Sequence, residues 1–500
     1  MFLLQSIISG LFRLGNIMIL ARLLLPQEMG RVAVVGIIYA FMQFVGAFGL
    51  NNASPLVVPQ EEQNGQMERV RFFLRRSVTI VLTSSMSLAL LLFVFLPLFV
   101  SPETLAPSLL WLVLVIGPFS SLEVFLDSFL LARYNVRPLV AGRILFDLSR
   151  VLLTVLLVMD GLGATGVVVG WFLGEVIAVS VFGSLVGRGL PKVSSPIVMR
   201  PILGFALSTM LFQTVDVTIQ NTDRVILLQL TGLSSLGVYD VLLGMLFLIS
   251  FISLSLSSAV YPYLTQTRVR LQGFDGWGYG MGRLVSMLLR YMMMLLLPIS
   301  IVAAMNSHLV LTVFLGPAYA EYPNASLSFS ILILSYVAWG AVYGIHISLR
   351  SLGEVKFFAA VGVGIIFFEI QGCLFLTSML GLFGSALVRA MYIVLLCVTG
   401  LARLRQRGVV GLSSVAKSVG RIVAASVICG TAVVFVAPTG ILSFVFWAAI
   451  SMGLYVVLLF LFREIAESDF RIARSILPLA YHRLLDRIET VYLKGSSGSP

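Results

Sequence analysis

The chain has 500 residues, of which 59% are hydrophobic and 11% are charged, and its mean hydropathy is +1.03. This is more apolar surface than the core of a water-soluble protein can bury, so composition excludes a soluble enzyme or binding domain. The formal net charge is +11, but the basic residues form short clusters between apolar runs, which argues against a nucleic-acid partner. We therefore expect an all-α integral membrane protein surrounded by membrane lipids.

Apolar windows of about 20 residues, the length that crosses ~30 Å of hydrocarbon, recur along the chain. Gly, Pro and charged residues separate these windows and define about fourteen predicted spans. Their limits are 2–21, 32–50, 77–100, 108–132, 144–159, 163–186, 201–226, 237–260, 284–305, 326–349, 357–379, 382–402, 418–437 and 440–462. After the last span, residues 463–500 mix basic and apolar side chains, which predicts an amphipathic cytoplasmic tail.

Lys and Arg are distributed unevenly between the two sides of this topology. Most of the 33 basic residues fall in the loops after even-numbered spans and in the tail. The opposite loops carry only Arg22 and Arg31. Because basic loops stay in the cytoplasm, we expect a multi-pass protein of the plasma (inner) membrane with both termini cytoplasmic.

The chain contains features of an internal repeat. Spans 1 and 7 each carry a polar stripe, four residues at spacings of 3, 4 and 3 that share one helix face. The two stripes are Ser6, Ser9, Arg13 and Asn16, and, 207 residues later, Gln213, Asp216, Gln220 and Asp223. The same offset takes Gly30 to Gly237, and an offset of 218 takes DGLGATGVVVG (160–170) to SMLGLFGSALV (378–388). Small residues also recur in membrane helices for packing reasons alone, which is the alternative explanation.

A repeat of this kind predicts the domain organisation. Both halves start on the same side of the membrane, so the repeats are parallel and related by an axis along the membrane normal. The polar stripes would then line a cavity between the halves. We expect a six-helix bundle at 1–200, a second at 201–410, two additional spans at 411–462 and the tail at 463–500.

Three stretches carry a loose pattern of Gly, Pro and apolar positions. They are ILARLLLPQEMGRVAVVGIIYAFMQFVGAFGL in spans 1 and 2, TDRVILLQLTGLSSLGVYDVLLGMLFLISFISLSLSSAVYPYL in spans 7 and 8, and ISLRSLGEVKFFAAVGVGIIFFEIQGCLFLTSMLGLFGSALV in spans 10 to 12. With them the chain resembles, from about residue 5 to 402, the polysaccharide-transport flippases (oligosaccharide or O-antigen type) of the multidrug/oligosaccharidyl-lipid/polysaccharide (MOP) superfamily.

The resemblance implies a fold, a function and partners. The fold would be a V-shaped pair of parallel six-helix bundles plus two extra C-terminal helices. The function would be to move a polyprenyl-(pyro)phosphate-linked oligosaccharide from the cytoplasmic to the outer leaflet by alternating access, for cell-surface polysaccharide or glycan assembly. The substrate is then a lipid-linked oligosaccharide, and polysaccharide-assembly proteins are further partners. We expect a monomer that is not an enzyme and has no catalytic residues.

Polar residues on the stripes and in span 12 are the predicted substrate ligands of the cleft. A pyrophosphate carries at least two negative charges, which Arg side chains bind in a forked geometry, and amides bind sugar hydroxyls. The predicted ligands are Arg13, Asn16, Gln213, Gln220, Arg224 and Arg389.

Carboxyl groups inside spans are the predicted sites of ion coupling, because intramembrane charges are costly and need an explanation. These residues are Asp216, Asp223, Glu369 and Glu175. The sequence has no phosphate-binding P-loop, so we expect no cofactor and no metal centre, and coupling to protons or sodium ions. The alternative is that intramembrane charges neutralise one another, with Asp223 and Arg224, Asp147 and Arg150, and Arg13 and Asp216 as the pairs.

Two other functions remain open at this point. A cation-coupled exporter of small organic cations, as in the MATE branch of the superfamily, would need an acidic cleft, whereas the stripes here are mixed in charge. A membrane glycosyltransferase or polymerase would need carboxylates at the outer surface. Only four scattered acidic residues are available there, which are Glu28, Glu103, Asp160 and Glu321.

Overall fold

The computed structural model describes most of the chain. The described ranges are 2–98, 104–133, 136–193, 195–247, 249–250, 252–257, 277–352, 354–409, 412–436, 440–465 and 469–470, with single residues at 260, 264 and 438. Their helices are α1 (Phe2–Leu23), α2 (Pro26–Gly46), α3 (Leu50–Gln63), α4 (Met67–Phe95), α5 (Pro107–Ala132), α6 (Val136–Leu157), α7 (Gly163–Val186), α8 (Met199–Thr231), α9 (Leu233–Met245), α10 (Trp277–Met305), α11 (Ser307–Phe314), α12 (Pro317–Ala320), α13 (Ala325–Ser351), α14 (Val355–Leu380), α15 (Leu382–Gln406), α16 (Leu412–Val436) and α17 (Ile441–Leu461).

Eleven helical segments of the described residues are long and apolar enough to cross a membrane, so the chain is a multi-pass membrane protein. Each predicted span overlaps one of the helices, but the predicted number of fourteen is not confirmed. One of the eleven segments, Arg137–Val186, contains both the fifth and the sixth predicted span, because a π-helical turn at Val158–Leu162 joins α6 to α7. The helix at the eighth predicted span, Leu233–Met245, is too short to be counted.

Proline and glycine set several helix boundaries. Pro26 and Pro107 open α2 and α5, where the missing N–H of proline has no helical partner to lose. Gly232 separates α8 from α9 with φ of 87°, a backbone conformation that glycine adopts without strain. These local signals explain why the apolar runs break where they do.

The described helices belong to two compact units. The first contains Met1–Ser255, His308–Tyr336 and Gly353–Leu396, and the second contains Leu256–Ser307, Val337–Leu352 and Cys397–Pro500. The division predicted from the repeat, at residues 200, 410 and 462, stays a prediction. Most of the predicted tail lies outside the described residues.

The core of the first unit lies along α2, α5 and α7. Near one end, Phe73 packs against the rings of Phe125 and Phe129, with centroids 6.4 Å away in both cases. Further along, Met42 and Ile116 are fully buried between α2 and α5. This core fixes the helices from which the polar side chains described below project.

A reciprocal contact joins α2 and α9 in the first unit. A Cβ atom on Gly30 would meet the carbonyl oxygen of Leu233, and one on Gly237 would meet that of Pro26. The offset of 207 residues converts the first contact into the second, because it takes Gly30 to Gly237 and Pro26 to Leu233. Positions related by the offset therefore face each other in this contact, while the division of the chain into parallel repeats stays a prediction.

The turns that follow α6 and α14 have similar backbone angles at their glycines. Gly163 has φ of 54° and ψ of −138°, and Gly381, 218 residues later, has φ of 58° and ψ of −131°. Both glycines begin a helix that packs back on the preceding one, since Gly166 lies against Leu157 and Gly384 against Leu376. The two matched sequence segments thus have the same backbone conformation.

Three hydrogen bonds hold α11, α12 and the turn after α12 against other elements of the first unit. The guanidinium of Arg22 donates to the carbonyl oxygen of Val313, and the hydroxyl of Tyr319 donates to that of Leu24 over 2.9 Å. Burial raises the pKa of Tyr319, so its hydroxyl keeps the proton that it donates. A further bond of 2.7 Å joins the hydroxyls of Ser235 and Tyr322.

The second unit contains α10, α16 and α17. Gly430 of α16 packs on Met305 and Ile301 of α10, and the hydroxyl of Tyr455 donates to the Met294 carbonyl oxygen over 2.9 Å. At one end of this unit, the carboxylate of Glu464 lies 3.1 Å from Arg290 and 3.6 Å from Arg421. Glu464 is thus a buried carboxylate with cationic partners.

Candidate functional site

The polar stripe of α1 lies between helices of both halves, because α1 packs against α6 and α9. The guanidinium of Arg13 is stacked over the ring of Phe247, 4.1 Å from its centroid. One turn away on either side, Ser9 donates to Asp147, and the buried Oδ1 atom of Asn16 has no hydrogen-bond partner among the described residues. The predicted pair of Arg13 with Asp216 does not form.

Arg150 of α6 is a candidate site residue that the sequence prediction did not include. Its guanidinium carbon lies 4.6 Å from the ring centroid of Trp171, 5.4 Å from that of Tyr39 and 5.8 Å from that of Phe146. The predicted partner, Asp147, instead accepts the hydroxyl of Ser9. Within α6 only Phe146, four residues before Arg150, indicates this arrangement, because the other two rings come from α2 and α7.

Glu175 of α7 lies behind this aromatic group. It is fully buried, and its Oε1 accepts the hydroxyl of Tyr39. Its Oε2 has no hydrogen-bond partner within the described part of the chain. Tyr39 thus connects Glu175 with Arg150, by a hydrogen bond on one side and a cation–π contact on the other.

The stripe of α8 combines a local pair with an unpaired amide. Gln220 donates to Asp216 over 2.9 Å, in a bond that is exposed at the helix surface. The buried Oε1 of Gln213 has no partner among the described residues. The side-chain amide oxygens of Gln213 and Asn16 are thus both without a hydrogen-bond partner in the described structure.

Arg224 pairs with a carboxylate other than the predicted one. Its Nη2 is 2.9 Å from Asp240 of α9, and its Nη1 donates to Asn221 over 3.0 Å. The backbone N–H of Arg224 donates to the neighbouring carboxylate of Asp223 over 2.8 Å. Consecutive helix residues point away from each other, which is why adjacency in sequence gave the wrong pair.

Asp223 is the buried partner of Arg389. The Nε and Nη2 atoms of Arg389 lie 2.6 and 2.9 Å from the two oxygens of Asp223, in a bidentate pair. Asp223 also accepts the hydroxyl of Tyr239. The remaining donors of Arg389 reach the Gln220 carbonyl oxygen at 2.8 Å and the Tyr336 hydroxyl at 3.2 Å. Four of the five N–H donors of Arg389 are thus engaged within the protein, and its role as a substrate ligand stays a prediction.

Glu369 of α14 is the last predicted ion-coupling residue. It is fully buried, and neither carboxyl oxygen has a hydrogen-bond partner among the described residues. It lies within electrostatic range of Asp223 and Arg389.

Five of the predicted site residues, together with Arg150, form two groups of charged side chains. Arg13 lies within electrostatic range of Arg150 and Arg224, and we call these three residues the arginine cluster. Asp223, Arg389 and Glu369 form a separate buried group. Among the residues that the structure describes, no three His, Cys, Asp or Glu side chains come together in a metal-binding arrangement.

Solved structures share this fold at low sequence identity. Lipid II flippase MurJ in an inward closed conformation has a TM-score of 0.72 and 14% identity, over 94% of this chain and 99% of that chain. A multidrug resistance MATE transporter of the MOP superfamily, facing inward, has a TM-score of 0.63 and 13% identity, over 82% and 96%. The MATE multidrug transporter DinF-BH has a TM-score of 0.55 and 16% identity, over 81% and 93%. None of the curated proteins matches the sequence.

A sequence-family model identifies the family directly. Its description is "Polysaccharide biosynthesis protein", and it matches residues 19–324, which is more than half of the chain. The matched range runs from α1 to the loop before α13, so it includes Arg150, Arg224 and the repeat contact of α2 with α9. With the all-helical MOP fold around this range, the chain belongs to the polysaccharide biosynthesis protein family.

Proposed function

We propose that the protein moves a polyprenyl-pyrophosphate-linked oligosaccharide from the cytoplasmic to the outer leaflet of the plasma (inner) membrane. Two comparisons support this proposal, because the family is one of polysaccharide biosynthesis and the fold is that of a protein named as a lipid II flippase. The protein would act as a monomer beside other polysaccharide-assembly proteins, without catalysing a covalent reaction.

The observation that carries the proposal is the state of Arg13 and Arg150. Each guanidinium is stacked on aromatic rings, and among the described residues neither has a carboxylate at ion-pair distance. Cation–π stacking fixes the plane of a guanidinium while leaving its N–H donors free at the edge. Two such groups close together suit a diphosphate, which accepts several charge-assisted hydrogen bonds.

The sugar part of the substrate would be recognised by amides. The Oδ1 of Asn16 and the Oε1 of Gln213 are buried acceptors without partners in the described residues. Sugar hydroxyls donate to such acceptors and relieve the cost of leaving a polar atom unsatisfied. Asn16 lies one turn from Arg13, so a ligand held at the arginine cluster reaches it directly.

The competing function is the export of organic cations. It would use the carboxylate of Asp216, which is held only by Gln220 among the described residues. Arg13 and Arg150 would repel such a substrate, because their charges are not neutralised by an ion pair within the described structure. We therefore rank export of cations second.

Transport of a fluorescent lipid-linked oligosaccharide in proteoliposomes tests the proposal. Arg13→Ala and Arg150→Ala should insert and fold normally but lose transport, and Arg150→Lys should restore only part of it, since Lys lacks the planar fork. The matched control is Arg75→Ala, which removes an exposed arginine on α4.

The outcome against the proposal is equally specific. If Arg13→Ala and Arg150→Ala transport the lipid-linked oligosaccharide like the Arg75→Ala control, the arginine cluster does not bind the substrate. If these variants instead bind an organic cation more tightly than the unchanged protein, the exporter function replaces the flippase function.

A further inference from the structure

Arg224 is the member of the arginine cluster that has an ion pair. Its Nη2 lies 2.9 Å from Asp240, and its Nη1 donates to Asn221 over 3.0 Å. Its Nε is buried and has no hydrogen-bond partner among the described residues. In the same part of the chain, Arg13 and Arg150 have no carboxylate at ion-pair distance. Asp240 is thus the carboxylate that pairs with the cluster.

The hairpin of α8 and α9 carries two polar pairs that differ in exposure. Asp223 accepts the hydroxyl of Tyr239, and the next residue of each helix forms the second pair, Arg224 with Asp240. Asp223 and Tyr239 are 0% exposed, whereas the side chains of Arg224 and Asp240 are 24% and 26% exposed. The first pair is closed off inside the protein, and the second can be reached from outside the hairpin.

The Arg224–Asp240 pair lies on the side of α9 that faces α1. A Cβ atom on Gly244, one helical turn after Asp240, would meet the Cδ1 atom of Ile17 at 2.5 Å. Ile17 follows Arg13 by one turn of α1, so Arg13 and Asp240 lie on the facing sides of two packed helices. Both Asp240 and Arg224 are within electrostatic range of Arg13. The carboxylate of Asp240 therefore acts on the same space as the guanidinium groups of the cluster.

A diphosphate bound at the arginine cluster would compete with Asp240 for Arg224. Carboxylate and phosphate both present anionic oxygens, and a guanidinium binds either of them with the same N–H donors. Asp240 approaches Arg224 at Nη2, while Nε on the same guanidinium is unused among the described residues. A phosphate that binds through Nε and Nη2 together gains a forked geometry, which makes it a strong competitor.

We propose that Asp240 is a positioning residue of the substrate site, which holds Arg224 while the cleft is empty and yields it to the substrate diphosphate. In the described arrangement, Arg224 is paired with Asp240. When the diphosphate arrives, Arg224 exchanges the carboxylate oxygen for a phosphate oxygen. Asp240 pairs with the arginine again as the substrate leaves, and no covalent bond changes in the exchange.

This competition sets the affinity of the site. A flippase has to bind its substrate on one side of the membrane and release it on the other, so binding that is too tight slows release. Asp240 lowers the affinity, because part of the binding free energy is used to separate Arg224 from it. It also keeps Arg224 from lying unpaired in an empty site, where a lone charge is costly. The inference deepens the proposed function and rests on it for the identity of the ligand.

Binding of radiolabelled inorganic pyrophosphate to the purified full-length protein in phospholipid nanodiscs tests this role. Asp240→Asn keeps an oxygen acceptor for Arg224 but removes the competing charge, so pyrophosphate should bind about three- to tenfold more tightly. Asp240→Ser removes the same charge and is measured if the first variant does not fold. The matched control is Glu62→Gln, which removes the carboxylate of another arginine pair, 2.8 Å from Arg133, and should leave the affinity unchanged.

A double variant and transport kinetics separate this role from a purely structural one. In Arg224→Gln, Asp240 has no arginine to withhold, so adding Asp240→Asn should tighten pyrophosphate binding less than it does with Arg224 present. With a fluorescent lipid-linked oligosaccharide in proteoliposomes, Asp240→Asn should lower KM and also lower the maximal rate, because release becomes slower. A purely structural Asp240 predicts the reverse for binding, since an arginine that has lost its support binds pyrophosphate more weakly and KM rises.

The outcomes distinguish this inference from the proposed function. Weaker or unchanged pyrophosphate binding in Asp240→Asn would overturn the role of Asp240, and the proposed function would stand if Arg13→Ala and Arg150→Ala still lose transport. Equal tightening with and without Arg224 would also overturn it, because the carboxylate would then act by repulsion alone. If Asp240→Asn binds pyrophosphate more tightly but the unchanged protein moves no lipid-linked oligosaccharide, the exchange at Arg224 stands and the proposed function fails.

Discussion

The regions around Gly163 and Gly381 have similar turns, but the interior arginines near them have different partners. The turns at Gly163 and Gly381 have nearly the same φ and ψ, yet Arg150 of the first half is held by aromatic rings and Arg389 of the second by a bidentate carboxylate. An arginine whose donors end on a carboxylate stabilises the bundle, whereas one stacked on rings keeps its donors for a ligand. In the proposed function, Arg389 therefore belongs to a structural ion pair, whereas Arg150 is the arginine that binds the ligand.

The largest expected effect comes from removing the two arginines in turn. Arg389→Ala leaves Asp223 buried without its cation and should cost about 3–5 kcal/mol of folding free energy. Arg150→Ala loses cation–π contacts worth about 0.5–2 kcal/mol. Thermal unfolding of the detergent-solubilised variants, followed by size-exclusion chromatography, measures the difference.

A double variant shows how much of the lost stability comes from leaving one charge of the Arg389–Asp223 pair without its partner. Arg389→Ala combined with Asp223→Ala removes both charges and should recover part of the stability lost in the single variant. If Arg150→Ala proved as destabilising as Arg389→Ala, the contrast between a structural and a ligand-binding arginine would be wrong.

The α2–α9 contact tests whether the halves are equivalent where their backbones touch. Gly30→Ala and Gly237→Ala each push a methyl group into a carbonyl oxygen, so each should destabilise by about 3 kcal/mol or more, at the upper end of overpacking effects. Gly15→Ala on α1 is the control, because a Cβ atom there meets nothing within 4 Å. Unequal losses for the two contact variants would show that the reciprocal contact is not energetically symmetric.

A smaller effect than at the α2–α9 contact is expected at the two hairpin turns. Gly163→Ala and Gly381→Ala place a side chain in a backbone region that only glycine enters freely, at about 1–3 kcal/mol each. We expect equal shifts of the unfolding temperature in the two variants. A shift in only one of them would mean that the two turns have similar backbone angles but do not impose the same strain on an alanine.

The helical membrane fold could be predicted from the sequence because it depends on local patterns. Apolar length defines a span, and the glycines at 30, 163, 237 and 381 mark close contacts or turns that need no knowledge of distant residues. The polar stripe of α1 was also predictable, since its spacing alone brings Ser9 and Arg13 onto one face.

The ion pairs could not be predicted in the same way. Asp223 and Arg389 are separated by 166 residues, while the adjacent Arg224 was the only visible partner. The rings around Arg150 come from α2, α6 and α7, and helical spacing does not show which helices become neighbours. Arg389, the predicted ligand with the bidentate ion pair, thus has its partner far away in the sequence.

The separation of Asp223 from Arg389 also has a consequence for biogenesis. During synthesis, α8 leaves the ribosome long before α15 exists, so its acid must enter the membrane without its cation, at a cost of about 2.5–3.5 kcal/mol on insertion scales. The hydroxyl of Tyr239 follows only 16 residues later and offers an early hydrogen bond. Insertion of α8 and α9 together, as a hairpin, therefore costs less than insertion of α8 alone. Tyr239 then provides a hydrogen bond to Asp223 until α15 is inserted and Arg389 pairs with it.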